Sequence, residues 1–205
     1  MTDVTTRVRI DRHYRDEDAR TALAADVRAG LTSTPKTLPP KWLYDEAGSD
    51  LFEQITRLEE YYPTRREREI LGAHAADIAA AARARTLVEL GSGSSEKTRL
   101  LLDALAEAGT LERYVPVDVS DSALIAAAEA LTEEYPDLEV HGVVADFEAH
   151  LELLPADPDR LVVFLGGTIG NFEPAPRAEF LRAVATTLRP GDAFLLGTDL
   201  VKDAG

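Results

Sequence analysis

From Glu89 to Thr98 the chain reads Glu-Leu-Gly91-Ser-Gly93-Ser-Ser-Glu96-Lys97-Thr98, residues able to hold a ligand with the main chain itself. Two glycines one residue apart permit a tight turn and a close approach to backbone N–H groups. Before them, Thr86-Leu-Val-Glu-Leu90 is short and mostly apolar; after them the residues favour a helix. A strand, a glycine turn and a helix N-terminus present amides and the positive end of the helix dipole to whatever lies above. An ordinary βα turn has the same local pattern, so the residues around the glycines must discriminate.

Three ligand classes use such a turn. A dinucleotide site needs Gly-x-Gly-x-x-Gly, and Glu96 stands where the third glycine belongs. A P-loop needs Gly-x-x-x-x-Gly-Lys-Ser/Thr; Gly91 to Thr98 fits except at Glu96, whose carboxylate would sit beside the phosphates. An S-adenosylmethionine turn follows its first strand with an acidic residue and then Leu-Gly-x-Gly. Glu89-Leu-Gly91-Ser-Gly93 satisfies that pattern, and this ligand has no phosphate to repel Glu96.

In a doubly wound sheet, ligands bind beyond the C-terminal strand ends. Further along the chain, three more strand ends carry suitable groups. Asp118 is placed to accept hydrogen bonds from ribose hydroxyls, or else to serve as a turn or N-cap aspartate. Asp146-Phe147 offers a carboxylate for an exocyclic amine and a ring for an adenine face; a surface loop beside a core phenylalanine is the plainer reading. Gly166-Gly-Thr-Ile-Gly170-Asn171-Phe172 would let a ligand approach the backbone, or is simply a flexible connector. Lys97 could reach a ligand carboxylate or lie in solvent. Tyr44, Tyr61 and Tyr62 read equally well as core residues with satisfied hydroxyls.

The elements that must position these groups alternate. Strands are expected at about 86–90, 114–118, 138–144, 161–165 and 193–197, with helices at about 95–108, 121–133 and from Pro176 to before Pro190. Upstream, a helix over 15–29 stops at Gly30 and a proline-rich connector follows to Pro40. Asp50 with Glu53, and Thr64 with Glu67, read as capping boxes; the second opens an alanine-rich helix to about residue 82. Leu51, Ile55 and Leu58 share one helical face. The fold expected is α/β: a doubly wound, mostly parallel, Rossmann-like sheet with right-handed crossovers. Pro116 inside its strand cannot donate to a ladder. The alternation stops after 193–197 and leaves a sheet edge open, so a fragment lacking the last strands is expected.

Composition narrows the function classes. The chain has 205 residues and no cysteine, so disulfide frameworks and Cys-ligated metal sites are excluded. Its net charge of −15 disfavours nucleic acid. The four histidines, His13, His74, His141 and His150, lack metal-ligand spacing. No apolar run approaches a membrane span and Met1-Thr-Asp-Val-Thr-Thr is no signal sequence, so a cytoplasmic protein is expected.

From about Pro35 onward the chain resembles the bacterial L-histidine Nα-methyltransferases of ergothioneine biosynthesis. The resemblance is carried by Pro35-Lys-Thr-Leu-Pro-Pro-Lys-Trp42-Leu-Tyr44-Asp45, Gly48-Ser-Asp-Leu-Phe52 and Glu60-Tyr-Tyr-Pro-Thr-Arg65. Leu87 to Thr98, Gly167-Thr-Ile-Gly-Asn171 and Leu196-Gly-Thr-Asp-Leu-Val-Lys-Asp203 carry it further. It implies a class I methyltransferase fold and trimethylation of the α-amine of histidine to hercynine, with S-adenosylmethionine as donor. It implies cofactor contacts at Gly91, Gly93, Lys97, Asp118, Asp146 and Phe147, with Gly166 nearby. It implies histidine contacts at Tyr61, beside the imidazole, and at Tyr44 and Asn171, at the amino and carboxylate end. Residues 1–62 would form an N-terminal helical segment of the substrate site, and 63–205 an S-adenosylmethionine-binding domain, in a protein that works as a monomer. Such proteins continue well past this point, so the residues gripping the imidazole are expected outside the chain. Action on another amino acid, or an inactive cofactor-binding fragment, stays open.

Overall fold

Apolar residues on both faces of each central strand force the sheet to be covered on both sides. A computed structural model describes residues 7–201. The Met1-Thr-Asp-Val-Thr-Thr opening and the Lys202-Asp203 end of the last motif lie outside the described residues. Six parallel strands run in the order β1-β4-β3-β2-β5-β6. They are β1 (Val8–Arg12), β2 (Thr86–Leu90), β3 (Arg113–Asp118), β4 (Glu139–Val144), β5 (Arg160–Phe164) and β6 (Ala193–Leu196). The helices are α1 (Asp16–Thr32), α2 (Glu46–Ile55), α3 (Pro63–Ala82), α4 (Arg99–Glu107), α5 (Asp121–Glu134) and α6 (Pro174–Thr187).

Alternation along β2 sends neighbours to opposite faces. Leu87 packs with Leu71 and Ala75 of α3, Leu101 and Leu105 of α4, and Leu131 of α5. Val88 and Leu90 pack on the other face with Phe164, Phe180 and Val184, the last two from α6. Register then fixes the site: Leu90 lies opposite Val117, Asp118 opposite Val144, and Phe164 opposite Leu196. The C-terminal strand ends therefore emerge together along one edge. Pairs between β3 and β4 omit Val115 and Pro116, as expected for a proline without an N–H.

The five expected strands are all present, and a sixth joins them. Val8-Arg-Ile-Asp-Arg12, inside the segment expected to be helical, pairs with β4 along its whole length. The helix starts also differ. The connector returns so closely that a Cβ on Gly30 would lie 2.1 Å from the Thr37 carbonyl oxygen. Gly30 is thus a packing glycine inside α1, and the helix runs on to Thr32. The cap of α2 is Asp45, whose carboxylate accepts from the Gly48 N–H at 2.8 Å, so Asp50 lies within the helix. Pro63 occupies the first turn of α3, so Thr64 is past the cap position. Pro174 similarly opens α6 ahead of Pro176. Leu51, Ile55 and Leu58 are exposed.

The β5–β6 end of the sheet rests on an ion pair sealed from water. Arg160 is 2% exposed, and its Nε donates to Asp192 at 3.0 Å while its Nη1 donates to the Pro155 carbonyl at 3.0 Å. Asp192 also accepts from the Arg160 and Arg189 backbone amides. Removing only one partner strands a buried charge. Asp192→Ala is expected to lower stability by about 3–5 kcal/mol in urea unfolding; a loss below about 1 kcal/mol would mean that water reaches Arg160.

Candidate functional site

At the end of β2 the chain turns through two left-handed glycines, Gly91 at φ 72° and Gly93 at φ 49°. The Gly91 and Ser92 amides donate to the Val117 carbonyl at 2.8 and 3.2 Å, binding the turn to β3. Ser95 also has positive φ, at 54°, which delays the helix to Arg99 and leaves Lys97 in the turn rather than in the first helical turn. A Cβ on Gly93 would meet nothing within 4 Å, and the buried Ser92 hydroxyl has no protein partner. The turn is therefore an open cradle with polar groups to offer, which suits an S-adenosylmethionine tail and sugar. Glu96 lies in an exposed ion pair with Arg68 of α3, at 2.8 Å.

Beneath the turn lies Glu89, with 4% of its surface accessible. It accepts from the Thr98 and Tyr114 hydroxyls, and Tyr114 shares a 2.8 Å hydrogen bond with Ser95. Burial pushes the Glu89 carboxyl up to about 7, against the pull of those two hydroxyls. This network joins β2, the turn, the start of α4 and β3.

The other strand ends converge on the same edge. The Asp118 carboxylate accepts from the Gly93 amide at 3.0 Å and from the Ser120 amide at 3.0 Å. Ser120, not Asp118, caps α5. At the end of β4, Phe147 lies against the glycine turn: its Cε1 is 3.4 Å from where a Gly91 Cβ would be. Its ring packs edge-on against Phe164, with centroids 5.3 Å apart. Asp146 is buried, accepts from the Glu148 amide at 2.9 Å and pairs with Lys41 at 2.8 Å. Beyond β5, Gly166 and Gly167 have φ 78° and 68°, and Lys97 Nζ is 3.7 Å from where a Gly166 Cβ would be. Gly91, Gly93, Lys97, Asp118, Asp146, Phe147 and Gly166 are thus all brought to one edge.

The tyrosines form their own cluster on the N-terminal segment. Phe52 sits edge-on to both Tyr44 and Tyr61, at 5.5 and 5.9 Å between centroids. Burial first, then Tyr44 and Glu67, hold the Tyr61 hydroxyl above its ordinary range. Asn171 ends the short turn Thr168–Asn171 and is exposed; among the described residues no hydrogen bond or ring contact joins it to Tyr44 or Tyr61.

Two residues at the site escape a reading by spacing. Lys41, in the short helical turn Pro40–Leu43 that ends the proline-rich connector, pairs with Asp146, while its neighbour Trp42 donates to Asp26 of α1 at 2.8 Å. Glu67 does not complete a capping box; its carboxylate pairs with Lys97 and accepts from the Gly166 amide at 2.8 and 3.0 Å. The proline at the first turn of α3 was the available signal, because it moves the cap ahead of Thr64. A separate cleft of about 370 Å3 lies near the N-terminal strand ends, lined by Arg9, Asp11, Arg113, Glu139, His141 and Asp157. Its charges pair with one another. His141 is satisfied there by Asp11 at 2.9 Å. Among the described residues no cluster could hold a metal, and no helix is long and apolar enough to cross a membrane.

A parallel sheet with its glycine turn beside the β2–β5 switch point is the architecture of class I S-adenosylmethionine-dependent methyltransferases. An O-methyltransferase family protein from Burkholderia thailandensis has a similar fold, at TM-score 0.54 and 16% identity over 88% of this chain and 51% of that one. The family described as histidine-specific methyltransferase, SAM-dependent, matches residues 23–205, and the chain belongs to it. Histidine N-alpha-methyltransferase from Mycobacterium tuberculosis is 59% identical over 97% of this chain and 62% of its own length. The protein of the same name from Mycolicibacterium smegmatis is 61% identical over 92% of this chain and 59% of its own. Ergothioneine biosynthesis protein 1 from Neurospora crassa is 34% identical over 90% of this chain and 22% of its own length. The chain thus spans about three fifths of the two mycobacterial relatives.

Glu89 gives the site a testable pH signature. A carboxyl raised from 4.5 to about 7 binds more protons folded than unfolded within that window. Its contribution to stability is present below about pH 4.5 and is lost as pH rises through about 7. The stability difference between the unaltered chain and Glu89→Gln should therefore shift in favour of the variant from pH 5 to pH 8, measured by urea unfolding. A difference independent of pH would mean that Glu89 is charged throughout.

Proposed function

We propose that the chain forms the cofactor-binding part of an enzyme that trimethylates the α-amine of L-histidine to hercynine, a step of ergothioneine biosynthesis, with S-adenosylmethionine as methyl donor. The observation that carries this is the alignment of four neighbouring strand ends, β2 to β5, each bearing a group suited to one part of that cofactor. The mycobacterial relatives' shared name supports histidine as substrate. In this reading Asp118 accepts hydrogen bonds from the ribose hydroxyls. Asp146 receives the adenine exocyclic amine and Phe147 covers the ring. Gly91, Gly93 and Gly166 leave room for backbone approach, and Lys97 holds the tail carboxylate.

S-adenosylmethionine supplies, when bound, a methyl group on a positively charged sulfur. The chain must present a neutral amine in line with it. A chain-terminal α-amine has a pKa of about 8, and the amine of free histidine, beside its own carboxylate, lies higher, so the site must select its neutral form; no residue is assigned as a dedicated base. Desolvation at the site favours the neutral amine further. Tyr61 stands beside the imidazole, and Tyr44 and Asn171 fix the amino and carboxylate end, so orientation supplies the rate. The protein works as a cytoplasmic monomer in this reading; sedimentation of the purified protein tests its oligomeric state.

Asp118→Ala should weaken S-adenosylhomocysteine binding by about 1–3 kcal/mol in calorimetry. Unchanged affinity would remove Asp118 from the ribose site. Titrating histidine, tryptophan and ATP in parallel tests the whole reading. Binding of ATP without S-adenosylhomocysteine would overturn it, and S-adenosylhomocysteine with tryptophan but not histidine would move it to another amino acid. In a version extended to the length of the relatives, Asn171→Ala should impair histidine binding and spare the cofactor. Equal loss of both would make Asn171 structural.

A further inference from the structure

The tail of S-adenosylmethionine is an amino acid, and an amino acid is a zwitterion. Lys97 complements only its carboxylate. Beside Lys97 stands a second ionic group that spacing did not assign to the site. Glu67 comes from the second turn of α3, and its side chain is 15% accessible against 20% for Lys97. Both carboxylate oxygens accept from the Gly166 amide, at 2.8 and 3.0 Å, and the same carboxylate pairs with Lys97.

Its placement is tightly specified. A Cβ on Gly197 would come within 2.2 Å of Glu67 Oε1 and 3.2 Å of Leu165 Cα, so residue 197 must be glycine for the carboxylate to lie there. Glu67 therefore spans the ends of β5 and β6 and reaches the residue that follows the glycine turn of β2. Helix α3 already has ample reason to pack on α4 through Leu71 and Ala75. That packing leaves unexplained why a charged group from its exposed first turns is drawn in over the strand ends. A shielded carboxylate touching a shielded ammonium, next to a glycine cradle, is one half of a zwitterion receptor whose other half is Lys97.

We propose that Glu67 receives the α-ammonium of the cofactor's amino-acid tail, while Lys97 receives its α-carboxylate. This rests on the S-adenosylmethionine reading of the site. The two groups hold each other in place beforehand, so little side-chain ordering remains when the ligand arrives. Exchange of one charged partner for another also avoids leaving either ion half-buried and alone. Because Glu67 lies in the second turn of the helix that directly follows Tyr61 and Tyr62, it also ties the placement of the tyrosine cluster to the cofactor's tail.

Three probes separate the parts of the ligand: S-adenosylhomocysteine, its analogue lacking the α-amino group, and 5′-methylthioadenosine, which lacks the whole tail. The unaltered chain should bind S-adenosylhomocysteine at least about 10-fold more tightly than the deaminated analogue, the scale of one charge-assisted hydrogen bond. Glu67→Gln retains an acceptor for Gly166 and removes the charge. It should abolish that discrimination and leave 5′-methylthioadenosine affinity unchanged. Glu67→Asp should preserve part of the discrimination, and thermal unfolding of each variant reports whether it folds. Equal loss for all three probes would make Glu67 merely structural and overturn the assignment. Tighter S-adenosylhomocysteine binding by Glu67→Gln would overturn it too, because Glu67 would then compete with the ligand for Lys97. An unaltered chain that binds S-adenosylhomocysteine and its deaminated analogue equally refutes the proposal without any variant, while leaving the cofactor reading intact. Failure to bind 5′-methylthioadenosine and S-adenosylhomocysteine alike would instead remove the cofactor reading, and this assignment with it.

Discussion

The buried carboxylate of Glu89 is the constraint on which the site is built. It sits on β2, a central strand, on the face that carries Leu87 and Tyr114, and accepts from Thr98 after the turn and Tyr114 on the next strand. A buried acceptor without donors would be costly, so the turn must return to place Thr98 over it. That requirement, together with left-handed backbone at Gly91, Gly93 and Ser95, sets the shape of the cradle. The acidic residue that identifies the turn in the sequence therefore has a structural role, fastening the turn from below.

Parallel register does the rest of the positioning. Flush strand ends bring Asp118, Asp146, Phe147 and Gly166 to the glycine turn although they are separated by long crossovers. None of these residues needs its neighbours in sequence to be near the glycine turn. The N-terminal segment reaches this edge through Lys41 on Asp146, and α3, which follows it, through Glu67 on Lys97 and Gly166. Both are charged contacts, one to the end of β4 and one to the glycine turn and the end of β5. They add to the pairing of β1 with β4 and the packing of α3 in the core, and join the tyrosine-bearing segment to the edge where the glycine turn lies.

What was legible in the sequence follows from the range of the forces involved. Strands β2 to β6 are short apolar runs with turn residues at their ends, and a local pattern suffices to find them. Strand β1 was readable in principle, since Val8 and Ile10 alternate with charged residues, but its amphipathic run is short and lies at a sheet edge. That the residues expected to hold the cofactor meet at one edge was legible because topology fixes where strand ends go. Gly30, Lys41 and Glu67 were not, because their meaning depends on contacts with Thr37, Asp146 and Gly166. Thr64 and Glu67 imitate a capping box at the right spacing, yet Pro63 had already begun the helix and freed Glu67 to reach the strand ends.

In the proposed function the aligned C-terminal strand ends, and not the cleft at the opposite edge, receive an S-adenosylmethionine-type ligand. Amide chemical shifts of the isotopically labelled chain, followed during titration with S-adenosylhomocysteine, test it most directly. The expected result is a set of saturable shifts at Gly91, Gly93, Asp118, Asp146, Phe147 and Gly166, with Arg113, Glu139 and His141 unmoved. Shifts confined to Arg113, Glu139 and His141, or none at the glycine turn, would contradict it.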